Sequence, residues 1–502
     1  MTITGRVLDD QGKPLSGASV VVKNKNSGTS TDDAGKFAVE AQPGDVLVIS
    51  YIGFEAKEVT IGSRTAIEVT LIPDQKSNEE LVVVAYGKIK KGDLTGAVSQ
   101  VKGADLNSFP TTNVLQALNG RAPGVRVMQN SGVPGAPVSV RIRGANSILG
   151  GNEPLYIIDG FPSSPTYLQN ADIESMEILK DASSTAMYGS RGSNGVVMIS
   201  TRGARKNQPT TIGVDMGYSV QSITKKMKLL NPFQYASLYN EQAKNDNMAP
   251  YFTQQQLDSF STIKGFDWQD LMLRSAPIYN GSVSVAGGNE RTSFFFSGGI
   301  FSQQGIIPNS DYNRYSLRVN INHDISKVLS VGYTTVYTRS DRAHQNSEAG
   351  NRGSDLFGAM LFAPPTVGPY DANGRYRRLN NVYTFSSNAI INPVAIQNEV
   401  TNGTKADDIV ANLNIRVKLT KDLEFRVSGN LMNSNSRQDN FRSRDPYGLN
   451  STGNANINTY QSTTLLNENV VTYKKAINTR HVLDFVGGIA NQVDKNTYVG
   501  AG

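Results

Sequence analysis

From about residue 209 onward the chain alternates apolar and polar residues with a period of two, over runs of ten to fifteen residues. Leu413, Ile415, Val417 and Leu419 alternate with Asn412, Asn414, Arg416 and Lys418. Leu423, Phe425, Val427 and Leu431 alternate with Glu424, Arg426, Ser428 and Asn430, and Tyr315, Leu317, Val319 and Ile321 with Ser316, Arg318, Asn320 and Asn322. Such a period puts neighbouring side chains on opposite faces of a strand. It predicts strands near 209–224, 279–287, 292–304, 311–322, 328–340, 406–419, 423–437, 460–473 and 480–495. A soluble sandwich gives the same alternation, so the connections decide. Short ones (Gly287–Glu290, His323–Lys327, Thr420–Asp422 and a turn around Lys474–Asn478) alternate with longer ones, the longest about 225–278 and 341–405. Short turns at one end and long loops at the other belong to an antiparallel transmembrane barrel, with Leu413, Ile415 and Val417 toward lipid and Asn414 and Arg416 toward the lumen. Nine strands is an odd number, whereas bacterial single-chain barrels close with an even one and plugged barrels with about 22. The expectation is the N-terminal part of a barrel over residues 206–502.

Composition is consistent with this. Of the 502 residues 38% are hydrophobic and 18% charged, and no apolar run is long enough for a membrane helix. Barrel strands average out as polar, so they escape that test. With no cysteine, a disulfide scaffold, a thiolate zinc site and a cysteine nucleophile are excluded. The net charge of +6 is spread along the chain, so no nucleic-acid partner is expected. The chain opens MTITGRVLDDQG, without a basic then apolar leader, which reads as a mature or trimmed start.

Residues 1–73 alternate in the same way between turns at Asp10–Gly12, Asn26–Gly28 and Asp33–Gly35, predicting a small β-sandwich. Residues 74–90 read as a linker. Within it Leu81–Gly87 (LVVVAYG) is an apolar strand former flanked by charge, read as an exposed strand without a partner, and Lys88–Asp93 as a solvated face. Such a strand invites capture by β-addition.

Residues 91–205 predict a small α+β domain. Strands are expected at Val138–Ile142, Tyr156–Ile158, Ser175–Leu179 and Gly195–Thr201, a short helix near Ala182–Tyr188, and a capped helix then a strand from Val125 within Thr111–Asn130. Gly144, Gly160, Gly189, Gly192 and Gly195 sit where the chain must turn. The glycine spacing from Gly189 to Gly195 lacks the strand–loop–helix context of a nucleotide loop. Asp159-Gly160 reads as a turn held by backbone hydrogen bonds. Arg141, Arg143, Asp159, Glu177, Lys180 and Arg191 are charges in an otherwise apolar, Gly-rich domain, and are expected to pair with one another or with inward-facing barrel residues.

No catalytic arrangement stands out. The histidines, His323, His344 and His481, fall in a short turn, a long loop and a strand start, without metal or base–nucleophile spacing. Asp32-Asp33 and Asp407-Asp408 read as turns or strand ends. The loop aromatics Tyr235, Tyr239, Tyr251, Phe252, Trp268, Tyr370, Tyr376 and Tyr383 read as loop packing, with stacking on sugars as the alternative.

The segments VSVRIRG, PLYIIDGFP and IESMEILKDASSTAMYGSRGSNGVVMISTRG together resemble the plug domain of TonB-dependent outer-membrane transporters, in the spelling of the SusC/RagA-type branch. The motif residues carrying the likeness are Arg141, Arg143, Gly144, Asp159, Gly160, Tyr188, Gly189, Arg191 and Gly192. Residues 1–73 resemble a carboxypeptidase-regulatory-like domain through Gly5-Arg6-Val7, Pro14–Ala18, Thr31–Phe37 and Ser50–Phe54; the likeness does not make the domain a peptidase, since residues 1–322 contain no histidine. Leu81, Val82, Val83, Val84, Ala85, Tyr86 and Gly87 resemble a TonB box in sequence and position. The resemblance implies active import of a glycan or peptide across the outer membrane, no enzymatic step and no cofactor. It implies a SusD-like lipoprotein lid, energy from a TonB–ExbB–ExbD complex, outer-membrane lipid around the barrel, and a periplasmic N-terminal domain and TonB box. The alternatives are a siderophore or cobalamin receptor of the same superfamily, and a surface adhesin that transports nothing.

Overall fold

The computed structural model describes the chain except residues 11, 24–26, 52–53, 63–64, 73–80, 85–86, 91–97, 108–110, 346–352, 354, 388, 445–451 and 478–480, and describes backbone alone at 81–84, 87–90 and 187. The chain divides into two units, Met1–Thr95 and Gly96–Gly502.

In the first unit β1 (Thr2–Leu8), β2 (Ser19–Val22), β3 (Gly28–Ser30), β4 (Lys36–Glu40), β5 (Val46–Ser50), β6 (Lys57–Thr60) and β7 (Ala66–Thr70) form two sheets, ordered β4-β1-β7 and β3-β2-β5-β6. Alternate residues face a shared core in which Ile3, Val7, Val20, Val22, Leu47, Ile49 and Leu71 are buried. The Asp32 carboxylate closes the turn to β4 by accepting from the Ala34 and Lys36 amides.

The apolar stretch that follows is not an unpartnered strand. β8 (Leu81–Val84) pairs antiparallel with β9 (Gly87–Lys90), from Leu81↔Lys90 to Val84↔Gly87. Gly87 therefore opens the returning strand. The lysine charges masked the polar–apolar–polar alternation of Lys88-Ile89-Lys90, which is strand-competent. Ala85 and Tyr86 lie outside the described residues.

The second unit begins with β10 (Val98–Lys102) and α1 (Gly103–Leu106). A 3₁₀ turn, Val114–Leu118, stands where a helix was expected, and the Asn113 side chain caps it by accepting from the Leu115 amide at 3.0 Å. β11 (Val125–Met128), β12 (Ser139–Ile142), β13 (Leu155–Ile158), β14 (Phe161–Pro162), β15 (Ile173–Leu179), α2 (Ala182–Thr185) and β16 (Val196–Thr201) follow. The five-stranded sheet runs β10-β15-β16-β13-β14, with β13 and β16 parallel. The expected helix near Ala182–Tyr188 is split: α2 gives way to a 3₁₀ segment, Ala186–Gly192, kinked at Gly189 (φ 59°, ψ −147°), a conformation open to glycine alone.

The remaining strands form one antiparallel sheet, each paired with the next in sequence. They are β17 (Thr211–Gln221), β18 (Ala276–Gly288), β19 (Thr292–Gln304), β20 (Asp311–Asp324), β21 (Leu329–His344), β22 (Val400–Lys418), β23 (Leu423–Arg442), β24 (Asn454–Ala476) and β25 (Val482–Ala501). One face carries Val214, Met216, Ile300, Leu317 and Leu413, all exposed, and the other Ser297, Arg314, Ser316, Arg318 and Asn412, all buried. Asp407 and Asp408 lie within β22 rather than at its end, and His323 and His344 are strand residues, whereas His481 precedes β25.

The long connections fold. After β17 come α3 (Pro232–Asn245), α4 (Gln254–Thr262) and α5 (Trp268–Met272), and after β21 come α6 (Leu356–Phe362) and α7 (Pro393–Glu399). Asn231 and Thr253 start α3 and α4 with capping boxes closed by Gln234 and Gln256. Trp268, Met272, Leu356, Met360 and Ile396 make a common core, and the Trp268 Nε1 donates to the Pro364 carbonyl at 3.0 Å. Tyr239 and Tyr383 each stack on Phe385, with ring centroids 3.9 and 5.0 Å away. Tyr235, Tyr251 and Phe252 join the same cluster, which is packing within the loops. Tyr370 and Tyr376 stack on each other at 5.5 Å.

Candidate functional site: the plug and the wall that holds it

The motif turns are strained in a defined way. Asp159 and Gly160 both take positive φ (49° and 94°), as the two-residue loop of a β13–β14 hairpin requires. The Asp159 amide donates to the Ile199 carbonyl at 3.0 Å. Its carboxylate accepts from the Thr201 amide at 2.9 Å and the Thr201 hydroxyl at 2.5 Å. The acid is thus fixed by β16 and aimed at the wall, where Arg318 of β20 lies 3.9 Å away.

Arg318 is the centre of the contact. It is 1% exposed. One guanidinium nitrogen donates to the Arg202 carbonyl at 2.7 Å, the other to the Thr201 hydroxyl, and the group lies 5.0 Å from the centre of the Phe295 ring. Around it the inner faces of β19, β20 and β21 repeat the theme. The Arg314 guanidinium donates to the Thr112 carbonyl at 2.9 Å, that of Arg342 to the Gly135 carbonyl at 3.3 Å, and the Thr338 hydroxyl to the Tyr167 carbonyl at 3.0 Å. Ser297 donates to the Asp172 carboxylate at 2.6 Å, and Gln169 donates to Ser316. Burial raises the Asp172 pKa above the usual carboxylate range, with Ser297 and Arg318 opposing the shift. Two glycines permit this approach: a Cβ on Gly135 would lie 2.4 Å from the Tyr312 ring, and one on Gly299 would lie 2.2 Å from the Gln169 side chain.

The other motif charges divide differently. Arg143, also at positive φ, pairs with Asp181 inside the plug. Lys180 donates to Ser99 and to the Pro123 carbonyl, again inside the plug. Arg191 reaches the wall at Gln492, 3.4 Å away. Arg141 stands directly across from Arg126 in the β11–β12 pair, and its buried Nε has no partner. Glu177, 1% exposed, accepts from Gln100 at 3.1 Å and Ser175 at 2.7 Å, while its second oxygen has no partner. Burial raises its pKa. Of the charges expected to meet the wall, Asp159 and Arg191 do. The wall arginines that hold the plug, Arg314, Arg318 and Arg342, went unassigned in the sequence, though Arg318 stands among the inward positions of its strand. The Tyr188 hydroxyl donates to the Met198 sulfur at 3.5 Å, and Gly192 lies against the Thr185 carbonyl. No group of His, Asp or Glu capable of holding a metal exists among the described residues.

Residues 90–196 match the TonB-dependent receptor plug domain family, and residues 3–84 the CarboxypepD_reg-like domain family. TonB-dependent receptor P26 of Formosa agariphila is 37% identical over 500 residues, covering 98% of this chain and 49% of that protein. TonB-dependent receptor SusC of Bacteroides thetaiotaomicron is 30% identical over 455 residues, covering 85% of this chain and 44% of that protein. The RagAB peptide importer in its open-open state aligns with a TM-score of 0.72 at 25% identity, over 84% of this chain and 50% of that one. The chain spans about half the length of the curated relatives it matches. With a matching plug, a matching N-terminal domain and this sheet, the chain belongs to the SusC/RagA type of TonB-dependent receptors, which are β-barrels of the outer membrane.

Proposed function

We propose that the complete protein imports a large polar nutrient, an oligosaccharide or a peptide, across the outer membrane, and that Leu81–Gly87 is the strand that TonB grips from the periplasm. One observation carries the reading. The plug is tied to the inner wall by hydrogen bonds around a buried arginine, Arg318, beside an apolar contact at Val336 and Val410. The exposed polar contact at the rim, Arg191 to Gln492, can exchange with water when the plug is pulled. The two-stranded pairing of β8 with β9 supports the grip, because an isolated hairpin is marginal and gives up its partner readily. RagAB is a peptide importer, which supports a substrate of that class. A SusD-like lipoprotein would cover the extracellular loops, and the protein itself would bind and gate rather than make or break bonds.

Val83→Pro in the complete receptor removes one backbone donor from the middle of the gripped strand. Growth of Bacteroidota cells on pooled oligosaccharides or peptides as sole carbon source should fail, while receptor level in the outer membrane is unchanged. Normal growth would exclude this segment as the energy link.

A further inference from the structure

Along these nine strands the plug is held unevenly. β19, β20 and β21 grip it through Ser297, Arg314, Arg318, Thr338 and Arg342. Toward β22–β25 the plug and the wall instead enclose a cavity of about 830 Å³. Ser163, Ser164 and Thr166 line it from the plug, and Ser434, Thr464 and Leu466 from the wall. On this side Arg191 reaches Gln492 at 3.4 Å, Ser163 reaches the Met432 sulfur at 3.1 Å, and Val410 packs against the plug core.

We infer that the plug gives way on the β22–β25 side, and that this cavity is the start of the transit passage, while the β19–β21 contacts stay closed and act as the pivot. The inference rests on the TonB-gated reading above and adds a direction to it. Separating the plug from β20 would strand the buried Arg318 guanidinium and part it from the Arg202 carbonyl and the Thr201 hydroxyl, where an unpaired charge is costly. Separating it from β22–β25 breaks weak contacts beside an existing void, where water can take their place. The lining also fits the cargo. Hydroxyls are set among apolar side chains such as Leu155, Ile409 and Val410; of the charges, Arg191 and Asp408 also line it, and Glu153 is turned back on Ser139, the Val140 amide and Tyr156. An uncharged, hydrogen-bonding chain can pair with these hydroxyls without bringing a charge of its own to desolvate.

This chain contains no cysteine, and any cysteine elsewhere in the complete receptor is replaced by serine so that each introduced thiol is read alone. Leu466→Cys and Met432→Cys place a thiol on the β22–β25 side, and Ser316→Cys and Thr338→Cys place one under the β20–β21 grip. Each variant of the complete receptor is exposed in intact cells to membrane-impermeant fluorescein maleimide, with and without an uncoupler, and again in the Val83→Pro background. Energised cells should label Leu466→Cys and Met432→Cys severalfold faster than uncoupled ones, with Ser316→Cys and Thr338→Cys protected throughout. Val83→Pro should abolish the difference. Labelling of the β20–β21 pair alone, or of both pairs alike, overturns the direction and leaves TonB gating standing. Energy-independent labelling at Leu466→Cys and Met432→Cys also overturns it, because that wall would then be open without plug movement. Protection of all four sites in energised cells removes the gating reading and the direction with it.

Discussion

Replacing Arg318 by methionine keeps most of the side-chain volume and removes the cation. The Arg202 carbonyl and the Thr201 hydroxyl then lose their donor, and the Asp159 carboxylate loses its nearby cation. A hydrogen bond from a charged group contributes about 1.5–3 kcal/mol, and removing one partner of a buried pair costs about 3–5 kcal/mol. The Asp159 share is small, because the pair is 3.9 Å long, the acid is 31% exposed and Thr201 still holds it. The contact over Phe295 adds about 1 kcal/mol. These terms overlap, so the plug–wall contact should weaken by about 3–5 kcal/mol. At about 1.4 kcal/mol per factor of ten, opening should become roughly a hundred to a few thousand times more frequent. Amide hydrogen exchange in β16, whose Thr201 sits in the contact, reads this directly on the complete receptor in lipid nanodiscs. Arg339→Met is the control, since its partner Asp407 is on the outer face and both side chains are exposed. If Arg318→Met speeds β16 exchange no more than Arg339→Met does, burial at Arg318 does not hold the plug.

Ile415→Arg should destabilise the barrel by about 2–4 kcal/mol if it falls near the membrane midplane, whereas Arg416→Ala, on the lumen side, should change little; equal tolerance of the two in a lipid refolding titration would mean that the assigned faces are wrong. Glu177 has its pKa raised by burial above the ordinary 4.5, so the folded plug keeps a proton that the unfolded chain has lost. Its contribution is full below that ordinary value and fades as pH rises toward the folded one, so the plug should melt at lower temperature at pH 8 than at pH 5. Glu177→Gln should flatten that slope, and an unchanged slope would place the pH dependence elsewhere.

The strands were legible because their errors would be expensive. A slip of one residue would turn Arg416 or Asn414 outward and Ile415 inward, so the alternation and the lengths of the turns leave one register. The loop helices were equally legible and were missed. Asn231-Pro232 with Gln234, and Thr253 with Gln256, are helix starts written in local sequence, but the barrel reading treated everything between strands as loop. The plug contacts are a different case. Arg318 and Arg416 occupy equivalent polar positions in alternating strands, yet one is buried beneath the plug and the other exposed. Nothing near either residue in sequence separates them. The difference is made by Thr201 and Arg202, more than a hundred residues upstream.

Arg143 was expected to help hold the plug and instead pairs with Asp181 within it, while Asp159 meets the wall. Both residues end a strand at positive φ before a glycine, so the turn alone does not choose between them. What chooses is the strand beside the turn. Thr201 fixes the Asp159 carboxylate from inside the plug, with a backbone amide and a hydroxyl, before any wall residue is needed. The Arg318 guanidinium lies over the Phe295 ring of the neighbouring strand. The plug half of the contact is therefore preorganised, so ordering the Asp159 side chain adds little entropy cost when it meets the wall. A contact held this way keeps its place while weaker contacts part, as the pivot proposed above requires.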